Sequence, residues 1–328
     1  MSHLSLLSFE KKLISYRRLF LYILFFVLTV SLSCFTAFRI FGIDRDYLQY
    51  KNFFESLVFG YEGRFELGFV ILSLLIKMMG LSFWALLFLS ALLSLTTKLY
   101  LIVRLPNWVF WFVIYFLALY PLHEMTQIRV SVALGFGYLA VYFSSYQKYN
   151  FKIFVFSILA VLFHWTLLTF IPFIVFSKIF RRRSLLIVGG VVFAPVIVIS
   201  ASLGVLDYLN PQVGHMIETA REMEANPFSS RNLICAALII LGFSNYNKFP
   251  SSVLPFFYIS VFGLSFWYGM MSIPVFAHRI FELTLFSFFF WIPALPRYRR
   301  LVSMALFFVL SIYLFINSLY LNPLFVSS

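Results

Sequence analysis

QIRVSVALGFGYLA, residues 127–140, decides how this chain is read. Arg129 stands at the head of an apolar run that continues to about residue 145 without any apolar/polar alternation. A continuous run of that length is a membrane helix rather than a barrel strand, because barrel strands alternate. An ionised side chain at bilayer depth costs at least about 2.5 kcal/mol, so it persists only with a partner or a task. Two other apolar runs carry the same kind of residue: His164 in ILAVLFHWTLLTF (158–170) and Arg279 in PVFAHRIFELTLF (274–286).

Working outward, apolar segments fall at about 19–41, 66–79, 82–103, 107–122, 128–145, 152–177, 184–205, 232–247, 251–272, 277–294 and 301–320. Gly80, Pro106, Pro121, Pro211, Pro227, Pro250, Pro274 and Pro296 punctuate them. The chain is 62% hydrophobic and 11% charged, with 45 phenylalanines, and its mean hydropathy is +0.95. In lipid every backbone polar group must be satisfied internally, which leaves helices for such runs. The expectation is an all-α integral membrane protein, a polytopic helical bundle of about ten or eleven transmembrane or half-membrane segments. It forms a single polytopic domain over residues 1–328, with hydrophilic stretches at 42–66 and 205–231, the latter holding an amphipathic helix around 212–224.

The formal charge of +13 is assigned to basic residues that hold span ends on the cytoplasmic side, not to nucleic-acid binding, since no groove-reading element accompanies it. Lys11, Lys12, Arg17 and Arg18 precede the first apolar run, which is expected to be an uncleaved span with its N-terminus in the cytoplasm. Cys34 and Cys235 are expected as core filler, and the five histidines lack metal-ligand spacing.

Simple alternation of the spans strands Lys98, Arg104, Lys148 and Lys152 on the outside, against the charge rule. A second register repairs this. In it 66–79 is interfacial or re-entrant, and 152–177 is two half-crossings that turn near His164. Loop 42–66, the Gln127–Arg129 turn, His164, loop 205–231 and Arg279 then share the outer face. Glu124 reads as a position in the outer loop.

Several residues can carry chemistry. Arg129, next to Gln127, is either an interfacial anchor or a guanidinium fork for phosphate oxygens. His164 is either a hydrogen-bonded core residue or a general acid–base, its unperturbed pKa of about 6.5 suiting that work. His278-Arg279 with Glu282 is either an ion pair within one helix or a second phosphate clamp. Asp44-Arg45-Asp46 reads as an exposed polar loop or a weak metal motif. Glu66 is a loop end, a base or a ligand for a sugar hydroxyl. The rings from Tyr47 to Phe65 make an interfacial belt or stack on sugars.

The order of short motifs narrows these choices. Gly42-x-Asp44-x-x-Tyr47 follows the first span. Glu66-x-Gly68-Phe69 opens a later segment. Gln127-Ile-Arg129-Val-Ser-Val-Ala133 and Ala160-x-x-Phe163-His164-Trp165-Thr166 come next, and Arg279 lies late in the chain. That order resembles the EpsG-like family of bacterial polysaccharide polymerases, relatives of the Wzy O-antigen polymerases, most clearly over residues 19–175. The resemblance implies an enzyme of the bacterial inner membrane, with its active site on the periplasmic face. It implies transfer of a glycan from undecaprenyl diphosphate to the sugar of an acceptor repeat unit, without a nucleotide, metal or other cofactor. Asp44, Glu66 and His164 are then the catalytic candidates, and Arg129, Arg279 and Gln127 bind the diphosphate. A chain-length regulator is an implied partner. A flippase for lipid-linked sugars, a membrane acyltransferase of surface polysaccharide and an O-antigen ligase are the rival readings. Related halves are common in transporters, and none is visible here.

Overall fold

The computed structural model describes residues 23–40, 42–44, 46–58, 65–146, 151–175, 226–271, 273–321 and 323–326. Segment 184–205, most of loop 205–231 with its expected amphipathic helix, Arg45, Lys148, the Arg181–Arg183 run and the N-terminal basic cluster lie outside the described residues.

The architecture is all-α. Helices α1 (Ile23–Ala37), α2 (Tyr47–Ser56), α3 (Leu67–Met78), α4 (Phe83–Ile102), α5 (Trp108–Ala118), α6 (Ile128–Tyr146) and α7 (Phe151–Phe163) form the first half. A 3-10 turn (Trp165–Phe170) leads into α8 (Ile171–Val175). The second half holds α9 (Ser230–Phe243), α10 (Leu254–Gly269), α11 (Pro274–Thr284), α12 (Phe288–Trp291) and α13 (Arg297–Ile316). Four stretches are long and apolar enough to cross a bilayer: Phe83–Ile102, Ile128–Tyr146, Pro274–Ala294 and Arg297–Leu321. A two-residue antiparallel pairing, Ile43 with Val326 and Asp44 with Phe325, ties the end of the described chain to the residues after α1.

Local sequence explains the boundaries. Pro255 and Pro274 start α10 and α11, where a missing N–H costs nothing. Gly80 ends α3 at φ +70°, a conformation that favours glycine. Between α5 and α6, Tyr120–Glu124 forms a π-helical turn around Pro121, a geometry that recurs at functional sites.

Contacts set the helix directions. Ser94 meets Ser131 and Thr97 meets Gly135, so α4 and α6 run in parallel. Phe156 stacks on Phe143, and Phe163 lies against Phe136, so α7 runs back along α6. At His164 the backbone is extended (φ −161°, ψ 118°) and the helix stops. The chain then reverses, setting Leu167 against Gly137 and Phe170 against Tyr138. Residues 152–175, the described part of segment 152–177, thus form a hairpin of two short arms with His164 at its apex, the turn that the second register places there. At 12 residues, α3 is about 18 Å long, well short of a bilayer core.

Three expectations need correction. Lys98 is not an anchor at a span end. It is fully buried, with Nζ 2.6 Å from Glu124 Oε1 and 2.7 Å from Ser131 Oγ. Glu124 accepts from Ser94, Ser131 and the Tyr115 hydroxyl as well, so it is not an outer-loop position but the centre of a dry polar network. An ammonium in that setting needs its carboxylate, which is why the two pack together. The stretch 42–66 is likewise not simply an exposed loop. Tyr47, Tyr50, Phe53 and Phe54 form the buried face of α2, and Tyr50 and Phe53 pack on Phe69 of α3. The ends of α2 and α3 are pinned together by Lys77, whose ammonium donates to the carbonyls of Phe54, Glu55 and Leu57. Cys235 is buried and Cys34 half-buried, both as free thiols.

Candidate functional site

The bundle gathers its ionisable residues around the start of α6. Glu66 occupies the extended position just before α3, Arg129 is the second residue of α6, and His164 is the hairpin apex. These three converge. Arg129 Nη1 donates to one oxygen of Glu66, and His164 Nδ1 shares a hydrogen bond with the other. The aromatic faces of Phe65 and Tyr50 lie 4.6 Å and 5.6 Å from the Arg129 guanidinium carbon and hold it by cation–π attraction. One guanidinium nitrogen is tied to Glu66, while the buried Nε has no hydrogen-bond partner. The side chain keeps 20% exposure.

Gly68 makes this convergence possible. A Cβ there would stand 2.8 Å from the Leu162 carbonyl oxygen and 3.0 Å from the Phe163 ring. Only a glycine lets α3 approach the hairpin closely enough for Glu66 to reach His164.

A second cluster adjoins the first through Gln127. Its amide donates to Glu282 Oε2 at 3.2 Å, and Arg231 Nη1 lies 3.6 Å from Glu282 Oε1. Arg231 also reaches His278 Nδ1, against which Trp267 packs. His278 and Glu282 both turn to Arg231 on α9 rather than to each other. Sequence reasoning passed over Arg231 because it closes a hydrophilic stretch. The signal was its place at the head of the apolar run NLICAALIILGF. Trp165 stacks on Phe276 at 6.4 Å, which brings the His164 turn against the start of α11. Arg279 follows on that helix. It is exposed and near Glu282, and it makes no ion pair with Glu66.

Asp44 is not an exposed loop residue. Its carboxylate is buried and lies 2.8 Å from Arg39 Nη1, with its other oxygen accepting the Asp46 amide at 2.9 Å. Burial pushes the Asp44 carboxyl up to about 6, against the pull of Arg39. Arg39 sits in the left-handed region (φ 52°) and also donates to the Met125 carbonyl, two residues before Gln127. Asp44 is thus linked through Arg39 to the backbone ahead of α6, with no hydrogen bond or ion pair to Glu66 among the described residues. No group of three or more His, Cys, Asp or Glu side chains arranged for a metal is found among the described residues.

The site draws in the N-terminal ends of α3, α6 and α9, whose helix dipoles favour an anion. Fold and site together define a polytopic helical membrane protein with a semi-buried Arg–Glu–His constellation at one end of its bundle. The EpsG family model matches residues 22–327, and the chain belongs to that family, whose members are relatives of the Wzy-type polymerases. The family is one of membrane proteins with glycan-polymerase-like function. No curated protein and no solved structure matches the chain.

Proposed function

We propose that this protein polymerises lipid-linked oligosaccharide repeat units on the periplasmic face of the inner membrane. It transfers the glycan from undecaprenyl diphosphate to a sugar hydroxyl of an acceptor repeat unit. The observation that carries the reading is Glu66 held between Arg129 and His164 where helix N-termini meet.

The chemistry follows from the parts. With Glu66 accepting a hydrogen bond from Nδ1–H, the His164 imidazole is held in the tautomer whose Nε2 carries no proton, the arrangement a general base needs. Nε2 takes the acceptor hydroxyl proton as that oxygen bonds to the anomeric carbon of the donor. The bond from carbon to diphosphate breaks, and its electron pair leaves with the diphosphate. Arg129 meets the developing charge with the donors Glu66 does not use, and Arg279 supplies a second cation from the solvent side. In a site partly free of water such fixed charges stabilise the transition state strongly. In this reading His164 is the base, Glu66 and Asp44 are positioning residues, and Gln127 orients the second cluster.

The test uses purified protein in detergent with undecaprenyl-diphosphate-linked repeat units. Glycan ladders longer than one repeat, with release of undecaprenyl diphosphate, support the reading. Unchanged glycan length together with transbilayer movement in vesicles supports a flippase instead. Acyl transfer from a thioester donor to the glycan supports an acyltransferase.

A further inference from the structure

The histidine of the second cluster has its hydrogen-bonding polarity set by its neighbours. His278 Nδ1 accepts from Arg231 Nη2 and, at 3.4 Å, from the indole N–H of Trp267. A guanidinium and an indole can only donate. Nδ1 is therefore the bare nitrogen, and the proton of the neutral ring sits on Nε2. A proton on Nδ1 would face two N–H groups. His164 is held the other way round, because its Nδ1 meets the Glu66 carboxylate, which can only accept. The two imidazoles thus present opposite chemistry: a bare Nε2 at His164 and an Nε2–H at His278. That Nε2–H has no protein partner among the described residues, and the side chain is half-buried.

Charge indicates what the N–H meets. At the first cluster one guanidinium, Arg129, faces one carboxylate, Glu66. At the second, Arg231 and the exposed Arg279 accompany Glu282 alone, so one positive charge is left over. Both Glu282 oxygens are engaged, one 3.6 Å from Arg231 and the other 3.2 Å from the Gln127 amide. What stays open is donors, namely the His278 N–H and the Arg279 guanidinium. A sugar hydroxyl brings an O–H that also needs an acceptor. Phosphate oxygens need donors only, and charged donors hold them best.

We infer that Arg231 is a positioning residue that fixes His278 as a neutral Nε2–H donor, and that this N–H, with Arg279, holds a phosphate oxygen of the lipid diphosphate. The inference rests on the polymerase reading for the identity of that diphosphate. No proton is transferred: the N–H stays on the imidazole while charge builds on the departing diphosphate. A neutral donor fixed in place beforehand stabilises such charge without reorganisation. Arg231 is itself steadied by the ring of Phe281, 5.1 Å from its guanidinium carbon.

The first measurement reads the ring. Nitrogen NMR spectra of protein with isotope-labelled histidine, in which His278→Gln identifies the His278 signals, should show Nδ1 bare and Nε2 protonated. Arg231→Met should turn this into an exchanging mixture of tautomers. A wild-type His278 protonated on Nδ1 overturns the inference, and an Arg231→Met spectrum identical to wild type removes Arg231 from it. Added undecaprenyl diphosphate should shift the His278 Nε2–H signal, and phosphatidylglycerol should not. No shift, or an equal shift with phosphatidylglycerol, overturns the phosphate assignment. The second measurement reads turnover. His278→Ala should lower kcat by about 100-fold, the scale of one preorganised donor. His278→Gln, whose amide places an N–H near the Nε2 position, should recover about tenfold of that loss. A glutamine variant as slow as the alanine variant overturns the donor role. A signal that shifts with undecaprenyl diphosphate in a protein that makes no polymer keeps this inference and removes the polymerase reading. Polymer made at the wild-type rate by His278→Ala does the reverse.

Discussion

His164 Nδ1 and Glu66 Oε1 are hydrogen-bonded across 98 positions of sequence. That bond joins the apex of one hairpin to the head of another helix, and Arg129 closes the group from the other carboxylate oxygen. Each of the three is held by something other than its charge: His164 by a break in the helix, Glu66 by the glycine contact behind it, and Arg129 by aromatic faces.

Arg129→Lys should insert and fold normally, yet lose polymerisation by about 100-fold in kcat, the scale of removing one preorganised donor from a transition-state site. An ammonium cannot reach Glu66 and a diphosphate with the same planar fork. Glycan ladder length and rate with purified protein check this. A near-normal ladder contradicts the clamp.

Gly68→Ala should lower activity without unfolding the bundle. The added methyl meets a backbone carbonyl at 2.8 Å, so α3 must shift away from the hairpin and pull Glu66 from His164. Displacements of about 1 Å can cost about 100-fold in rate. The melting temperature in detergent should fall by only a few degrees, and wild-type kcat in this variant would rule out the close-approach argument.

Lys98→Met should destabilise by about 3–5 kcal/mol, because it leaves Glu124 charged and unpaired in a dry interior. Lys98→Met combined with Glu124→Leu should lose less than the single change. Denaturation in detergent of both variants checks the order. A double variant weaker than the single one would mean that the network contributes more than charge neutralisation.

Asp44 gives a pH dependence of defined sign. Its carboxyl titrates near 6 when folded and near 3.9 in an unfolded chain. Between those values the folded protein holds the proton more tightly, so stability falls as pH rises from about 4 to 6. The full difference amounts to about 3 kcal/mol. Asp44→Asn should flatten that part of the melting profile. A profile identical to wild type across this window contradicts the buried-carboxyl account.

Much of this was legible beforehand, for physical reasons. Continuous apolar runs favour membrane helices, and the described helices other than α2 sit on or close to those runs. The turn at His164 followed from the register that keeps Lys152 with the other basic residues. Glu66, Arg129 and His164 stood out because each interrupts or opens an apolar run. Lys98 was misread because a lysine four residues from a helix end looks like a snorkelling anchor. Only the fold shows its side chain reaching Glu124, 26 residues away. Arg39 and Arg231 were hidden in the same way, since a terminal arginine is ordinary until its carboxylate is seen. The buried face of α2 was written at Tyr47, Tyr50, Phe53 and Phe54, at helical spacing, but so many rings elsewhere in the chain masked it.

The most direct test of the account is a double-mutant cycle on polymerisation rate with Glu66→Gln, His164→Ala and their combination, using purified protein and lipid-linked repeat units. If Glu66 acts by fixing the His164 imidazole, the combined variant should be no slower than His164→Ala alone, because residues that work as one unit are not additive. Rate losses that multiply would show two independent roles and contradict the account.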